Sequence, residues 1–122
     1  MSRIAGRIPG SGGTGSGGTG SFPVEVFNGT IKNLVVADNL KFFVMDNAMA
    51  QTIFVPENVN QEFPIGAEME FIRNGTGSVT FVELGSVDVF SRDFLLSINA
   101  RYSAVTLKKV GADDWRLIGD LA

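Results

Sequence analysis

From residue 22 onward, short apolar runs alternate with clusters of Gly, Asn, Asp and Ser, and no stretch keeps a 3.6-residue apolar period over three turns. The runs are 25–27, 30–36, 41–45, 52–55, 67–73, 78–84, 87–90, 94–98, 103–110 and 115–118; β-branched and aromatic residues dominate them, so each is expected to be a strand. Between them stand Asn28-Gly29, Asn74-Gly75-Thr76-Gly77, Gly85-Ser86 and Gly111-Ala112-Asp113-Asp114. Such residues accept the positive φ of tight turns, so these segments are expected to be hairpins and the pairing antiparallel. In residues 67–73, Met69 and Phe71 share one face and Glu68 and Glu70 the other, as in a strand with one wet side. Residues 40–45, 51–55 and 87–91 instead place apolar side chains on both faces. Their second face is expected to be covered, either by loops folded over it or by sister subunits. The pattern predicts an all-β, antiparallel β-sandwich or jelly-roll-like domain over residues 22–122, preceded by an extended Gly-rich arm over residues 1–21.

Composition narrows what such a domain can do. About a hundred residues lie outside the arm, and 44% of the 122-residue chain is hydrophobic, with ten phenylalanines, enough to build a packed interior. Cysteine and histidine are both absent. That removes disulfides, thiolate nucleophiles and histidine triads together with most zinc chemistry, so neither an enzyme nor a cofactor is expected. Of 10 basic residues, Arg3 and Arg7 lie in the arm, leaving 8 against 13 acidic groups in the body, a net −5. A body of that sign does not favour nucleic acid as a partner. No apolar run nears the roughly 20 residues that cross a bilayer, and no apolar signal core follows Arg3 and Arg7, so no membrane partner is expected either.

The arm repeats GSGGT in tandem at 10–14 and 15–19 and contains G-x-G-x-x-G twice. Dinucleotide binding needs a strand ahead of those glycines and a helix after them, whereas here Ile8-Pro9 precedes and Phe22-Pro23 follows. Gly/Ser/Thr repeats ordinarily form flexible tethers. The alternative, favoured here, is a docking arm in which Arg3, Ile4, Arg7 and Ile8 anchor an otherwise bare backbone to a neighbouring molecule. Asn28-Gly29-Thr30 and Asn74-Gly75-Thr76 match the glycosylation pattern, but turn chemistry explains them better. Asp113-Asp114 offers too few oxygens for calcium and is expected to be a solvated hairpin tip. Glu68 and Glu70 share a strand face, as a glycosidase pair could, yet an exposed acidic face is the commoner cause. Trp115 and Tyr102 could stack on sugar; core or interface packing is the preferred reading. Phe43, Phe54 and Phe90 join them as expected core or subunit-interface residues.

Three stretches carry a resemblance. They are NLVVADNLKFFVMDNAMAQTIFVPENVNQEFPIG (33–66), EMEFIRNGTGSVTFV (68–82) and YSAVTLKKVGADDWRLIGDL (102–121). Together they resemble a recurrent module of tailed-bacteriophage virion proteins, found at the C-terminal ends of tail-fibre polypeptides and in small virion-surface proteins. The resemblance implies a compact antiparallel β domain, commonly a homotrimer without catalytic residues, serving in attachment or capsid construction. With no fibre shaft ahead of the module, the expectation is a capsid decoration (cement) protein. It would be assembled in the host cytoplasm, sit on the virion surface and clamp the major capsid protein or another virion protein through its arm. The rival is a short tail or head fibre whose tip recognises host-surface carbohydrate through loops 56–61 or 111–114.

Overall fold

The computed structural model describes residues 22–122. The arm, with Arg3, Ile4, Arg7 and Ile8, lies outside the described residues. Nine strands are present among those described: β1 Val24–Phe27, β2 Ile31–Asn33, β3 Phe42–Met45, β4 Gln51–Val55, β5 Glu68–Arg73, β6 Val79–Glu83, β7 Asp88–Ser91, β8 Ala104–Gly111 and β9 Asp114–Gly119. They form a six-stranded sheet in the order β1-β3-β5-β8-β9-β7 and a three-stranded sheet β2-β4-β6. The all-β class therefore stands.

The pairing direction does not. β1 with β3, β3 with β5, β2 with β4, β4 with β6 and β7 with β9 are all parallel; only β5–β8 and β8–β9 are antiparallel. The chain lays one strand in the large sheet, turns a corner, lays the next in the small sheet, and returns by a longer loop to begin again. Three such turns stack, so that Val24 stands beside Phe42 and Phe42 beside Glu70. A single hairpin, β8–β9, continues the large sheet beyond them and closes through Ala112-Asp113 as expected.

The glycines explain the difference. Asn28-Gly29 and Asn74–Ser78 join strands of different sheets, so they are corners and not hairpins. Among the described glycines, positive φ occurs at Gly66, Gly85 and Gly119, not at Gly75 or Gly77. What those two supply is closeness: a Cβ at Gly75 would strike the backbone of Asn47, and one at Gly77 that of Met49, in the corner of the preceding turn. Gly77 N–H donates to the Asn47 carbonyl at 2.9 Å, and Gln51 Nε2–H reaches back to the carbonyls of Phe27 (3.0 Å) and Gly29 (2.9 Å). Asn47 Nδ2–H donates likewise to the Asn28 carbonyl at 2.9 Å. Each corner thus satisfies backbone groups of the one before it. The expected strand at 94–98 is a second departure. A 3-10 turn at Arg92–Phe94 occupies its start, and only the isolated bridges Thr80–Ser97 and Ile98–Leu121 remain.

Inward positions of successive turns fall in columns. Phe43 stacks on Phe71 with ring centroids 5.3 Å apart, and Phe71 meets Phe81 edge-on at 5.1 Å. Trp115 packs edge-on against Phe63 at 5.3 Å. Each such ring contributes about 1.5–3 kcal/mol through burial. In the first turn the same columns hold Glu25 and Lys32, which stand in register with Phe43 and Ile53. Lys32 lies over the Phe43 ring at 5.1 Å and pairs with Asp38 at 3.0 Å, while Lys41 pairs with Glu25 at 2.9 Å. The coil therefore begins with a charged lid over its apolar core, as a terminal repeat must.

Candidate functional site

Strand parity decides which apolar residues remain for a partner. In β1, Glu25 and Phe27 point inward, so Val24 and Val26 point out. Across the large sheet, one outward row runs Val24, Phe42, Glu70, Thr106, Ile118, and the next runs Val26, Val44, Ile72, Ala104. Directly opposed residues on one sheet face lie about 4.5–5.5 Å apart at Cβ, so these rows form one outward face, apolar at Val24, Val26, Phe42, Val44, Ile72, Ala104 and Ile118 and interrupted by Glu70 and Thr106. It is open: Val24 is 68% exposed, Val26 59% and Ile118 59%. Beyond it on the same face, Lys108 pairs with Glu68 at 3.2 Å and Arg116 with Asp114 at 2.6 Å, and the Arg116 guanidinium sits 5.0 Å from the Phe90 ring. An apolar field with a charged border is the arrangement expected of a protein–protein interface.

The residues named from sequence divide between core and surface. Phe43 and Trp115 are buried in the core. Phe54 is half-buried on the outer face of the small sheet, next to Asn33 and Val82. Phe90 and Tyr102 are exposed. Tyr102 also holds φ at 71°, unusual for an aromatic residue, with the Arg101 guanidinium 4.9 Å from its ring. Glu68 is engaged by Lys108 and faces outward with Glu70, on the wet side expected for β5.

A second region lies at the opposite end of the strands, where the return loop 56–67 meets the tip of the β8–β9 hairpin. Asp113 is not a solvated tip residue. Its Oδ1 accepts the Asn58 N–H at 2.7 Å and its Oδ2 accepts the Ser86 hydroxyl at 3.1 Å, while the same hydroxyl also donates to Glu57 Oε2 at 3.0 Å. The two loops read from sequence as ligand-contacting segments are thereby drawn together. Between them opens a cavity of about 480 Å³, lined by residues 58, 62–65, 109 and 112. Lys109 was not singled out from the sequence, yet its position is legible there: it shares parity with Val105 and Leu107, so β8 carries it inward.

Among the described residues, no group of three or more Asp and Glu is arranged to hold a metal ion. A displaced ionisable group lies in the charged lid. A hydrogen bond to Glu25, reinforced by the charges of Glu25 and Asp38 and opposed by partial burial, raises the Lys41 ammonium above the ordinary lysine range. Comparison of the chain with protein-family models and with curated proteins gives no match.

Proposed function

We propose that this is a structural protein of a tailed-bacteriophage particle, a trimeric capsid decoration protein on the virion surface. Its body associates with two further copies through the outward face of the six-stranded sheet. Residues 1–21 dock on the major capsid protein or another virion protein, with Ile4 and Ile8 as apolar anchors and Arg3 and Arg7 paired to carboxylates. The fold we assign is a short β-coil of three turns closed by a hairpin, in place of a jelly roll. Its work is mechanical: binding only the assembled shell stabilises that shell by mass action. The observation that carries the reading is the outward sheet face on which Val24, Val26 and Ile118 are exposed, apolar but for Glu70 and Thr106, which a protein of this size hides most simply by symmetric association. The threefold order and the location rest on the resemblance of residues 33–121 to phage virion modules.

Sedimentation of the purified chain is expected to give a trimer, and Val26→Asp a folded monomer. A wild-type monomer at tens of micromolar overturns the assembly. Deleting residues 2–20 is expected to leave the trimer intact and abolish binding to particles; undiminished binding overturns the arm. A second reading, a tail or head-fibre tip that recognises host-surface carbohydrate, is favoured by the cavity that joins loops 56–61 and 111–114. Copy number separates the two, since a decoration protein is present in hundreds of copies per particle and an appendage in tens or fewer.

A further inference from the structure

Lys109 is 1% exposed, and its ammonium donates to Asn58 Oδ1 at 2.5 Å and to the Phe63 carbonyl at 2.7 Å. Both acceptors are neutral. Among the described residues no carboxylate lies within ion-pair distance of it. An ammonium carries three protons, so one is left without an acceptor there. Trp115, equally buried, keeps its indole N–H unpartnered, and its ring lies 5.9 Å from the ammonium. Lys109 and Trp115 stand opposite one another in the β8–β9 ladder, so the indole ring walls the ammonium on one side. A buried cation with a spare donor gains more from an anionic acceptor than from water or a neutral one.

The cavity opens on this cluster, since Asn58, Phe63 and Lys109 all line it. Its volume of about 480 Å³ falls within the range of small-molecule sites, about 300–1,000 Å³. The remaining walls select among anions. Glu62 brings a solvated carboxylate that accepts hydroxyl protons and repels a second negative charge, which disfavours phosphates and other polyanions. Pro64 and Ile65, both exposed, offer an apolar ledge for the C–H face of a saturated ring.

We propose that this cavity binds a sugar acid of the hexuronate type. The carboxylate takes the free proton of Lys109 while the Asn58 and Phe63 bonds stay in place; ring hydroxyls donate to Glu62, and the ring lies over Pro64 and Ile65. This gives the fibre-tip reading above a ligand chemistry, and it does not depend on assembly through the sheet face.

The test is a titration of the full-length, isotopically labelled chain with D-glucuronate, D-glucose and acetate, followed by amide shifts. Glucuronate is expected to produce saturable shifts at residues 58, 62–65, 109 and 112, with affinity at least about tenfold above either control, because each control lacks one half of the recognition. Lys109→Met is expected to abolish binding. Because Lys109 is buried, it is paired with Ala112→Asp, an exposed rim change that adds a carboxylate at the mouth and is expected to weaken binding at least about fivefold in a folded protein. Absence of saturable shifts overturns the proposal, as does equal binding of glucose or acetate, or undiminished affinity in Ala112→Asp. Sedimentation of the same sample keeps the two readings apart: a monomer that binds glucuronate refutes the assembly and leaves the cavity standing.

Discussion

At the corner end of the coil, residues 74–78 lie on 46–50 with their backbones in direct contact, whereas at the return end residues 34–41 are joined to 61 and 68 through the side chains of Gln61 and Asn39. Gly75 and Gly77 press on Asn47 and Met49 with no room for a methyl group. The return loops are tied by longer reach: Gln61 Oε1 accepts the Val36 N–H at 2.9 Å, Asn39 Oδ1 accepts the Glu68 N–H at 2.9 Å, and Asp113 bridges Asn58 and Ser86. Backbone-on-backbone contact fixes the spacing of the turns and leaves no space for chemistry. Side-chain ties leave a cavity, and a buried lysine can then line it. The two ends therefore differ in kind, one setting the register of the coil and the other leaving the cavity lined by Lys109 for which a ligand is proposed.

The sharpest way to break this comparison is a change of one or two methyl groups at each end. Gly77→Ala drives a Cβ into the Met49 carbonyl, and backbone cannot step aside as a side-chain tip can, so a loss of about 1–3 kcal/mol is expected. At the return end, Val59→Ala removes atoms from a side chain that is 83% exposed, and its effect should stay within about 0.5 kcal/mol. Urea midpoints measure both. A neutral Gly77→Ala would mean that the corners slide freely. Next in size is Asp113→Ala, which leaves the Asn58 N–H without its acceptor and the Ser86 hydroxyl with Glu57 alone, and should cost about 1–2 kcal/mol, moderated by partial exposure. Its diagnostic is local: faster amide exchange at residues 57–61 with the corner residues unchanged. Exchange that rises equally at Gly75 and Gly77 would show that the two ends are not separable units.

Strand positions were written clearly in the chain, because β-branched and aromatic runs such as 51–55 and 67–73 have no competing helical period. Partnering was not. An Asn-Gly pair serves a hairpin through positive φ and a corner through lack of a side chain, and nothing local to Asn28-Gly29 or Asn74-Gly75 separates the two uses. Only Gly111–Asp114, with two strands of matching parity around it, formed the hairpin expected of it. At 94–98, apolar composition stood for strand, but Asp93 and Phe94 adopt positive φ and turn the chain, leaving Phe94 76% exposed. Two-sided apolar strands did mark a second face with apolar side chains, since Phe42 and Val44 of β3 stand half-buried in the outward rows, but the pattern does not say what covers it. Lys109 escaped notice because a lysine inside a polar-looking pair, Lys108-Lys109, reads as solvated until strand parity is applied residue by residue.

The smallest effect concerns the charged lid at the start of the coil, and its sign follows from the direction of the Lys41 displacement. Folding raises the Lys41 pKa, first through the hydrogen bond to Glu25 and then through the charges of Glu25 and Asp38. A group whose pKa is raised by folding holds its proton more tightly in the folded state. Its contribution is therefore complete below the ordinary lysine value of about 10.4 and is lost as pH climbs through the raised value. Asp38 keeps a second cation in Lys32 at 3.0 Å, so deprotonating Lys41 does not strand that buried carboxylate. The decline should consequently be shallow. Glu25→Gln removes the largest cause, so the fall in urea midpoint between about pH 10 and 11.5 should become shallower in that variant than in the parent. The two proteins differ at residue 25 alone, so the difference between the curves reads the Glu25–Lys41 contact. Parallel curves would mean that the Glu25–Lys41 contact is not maintained in solution and that the first turn is capped by Lys32 and Asp38 alone.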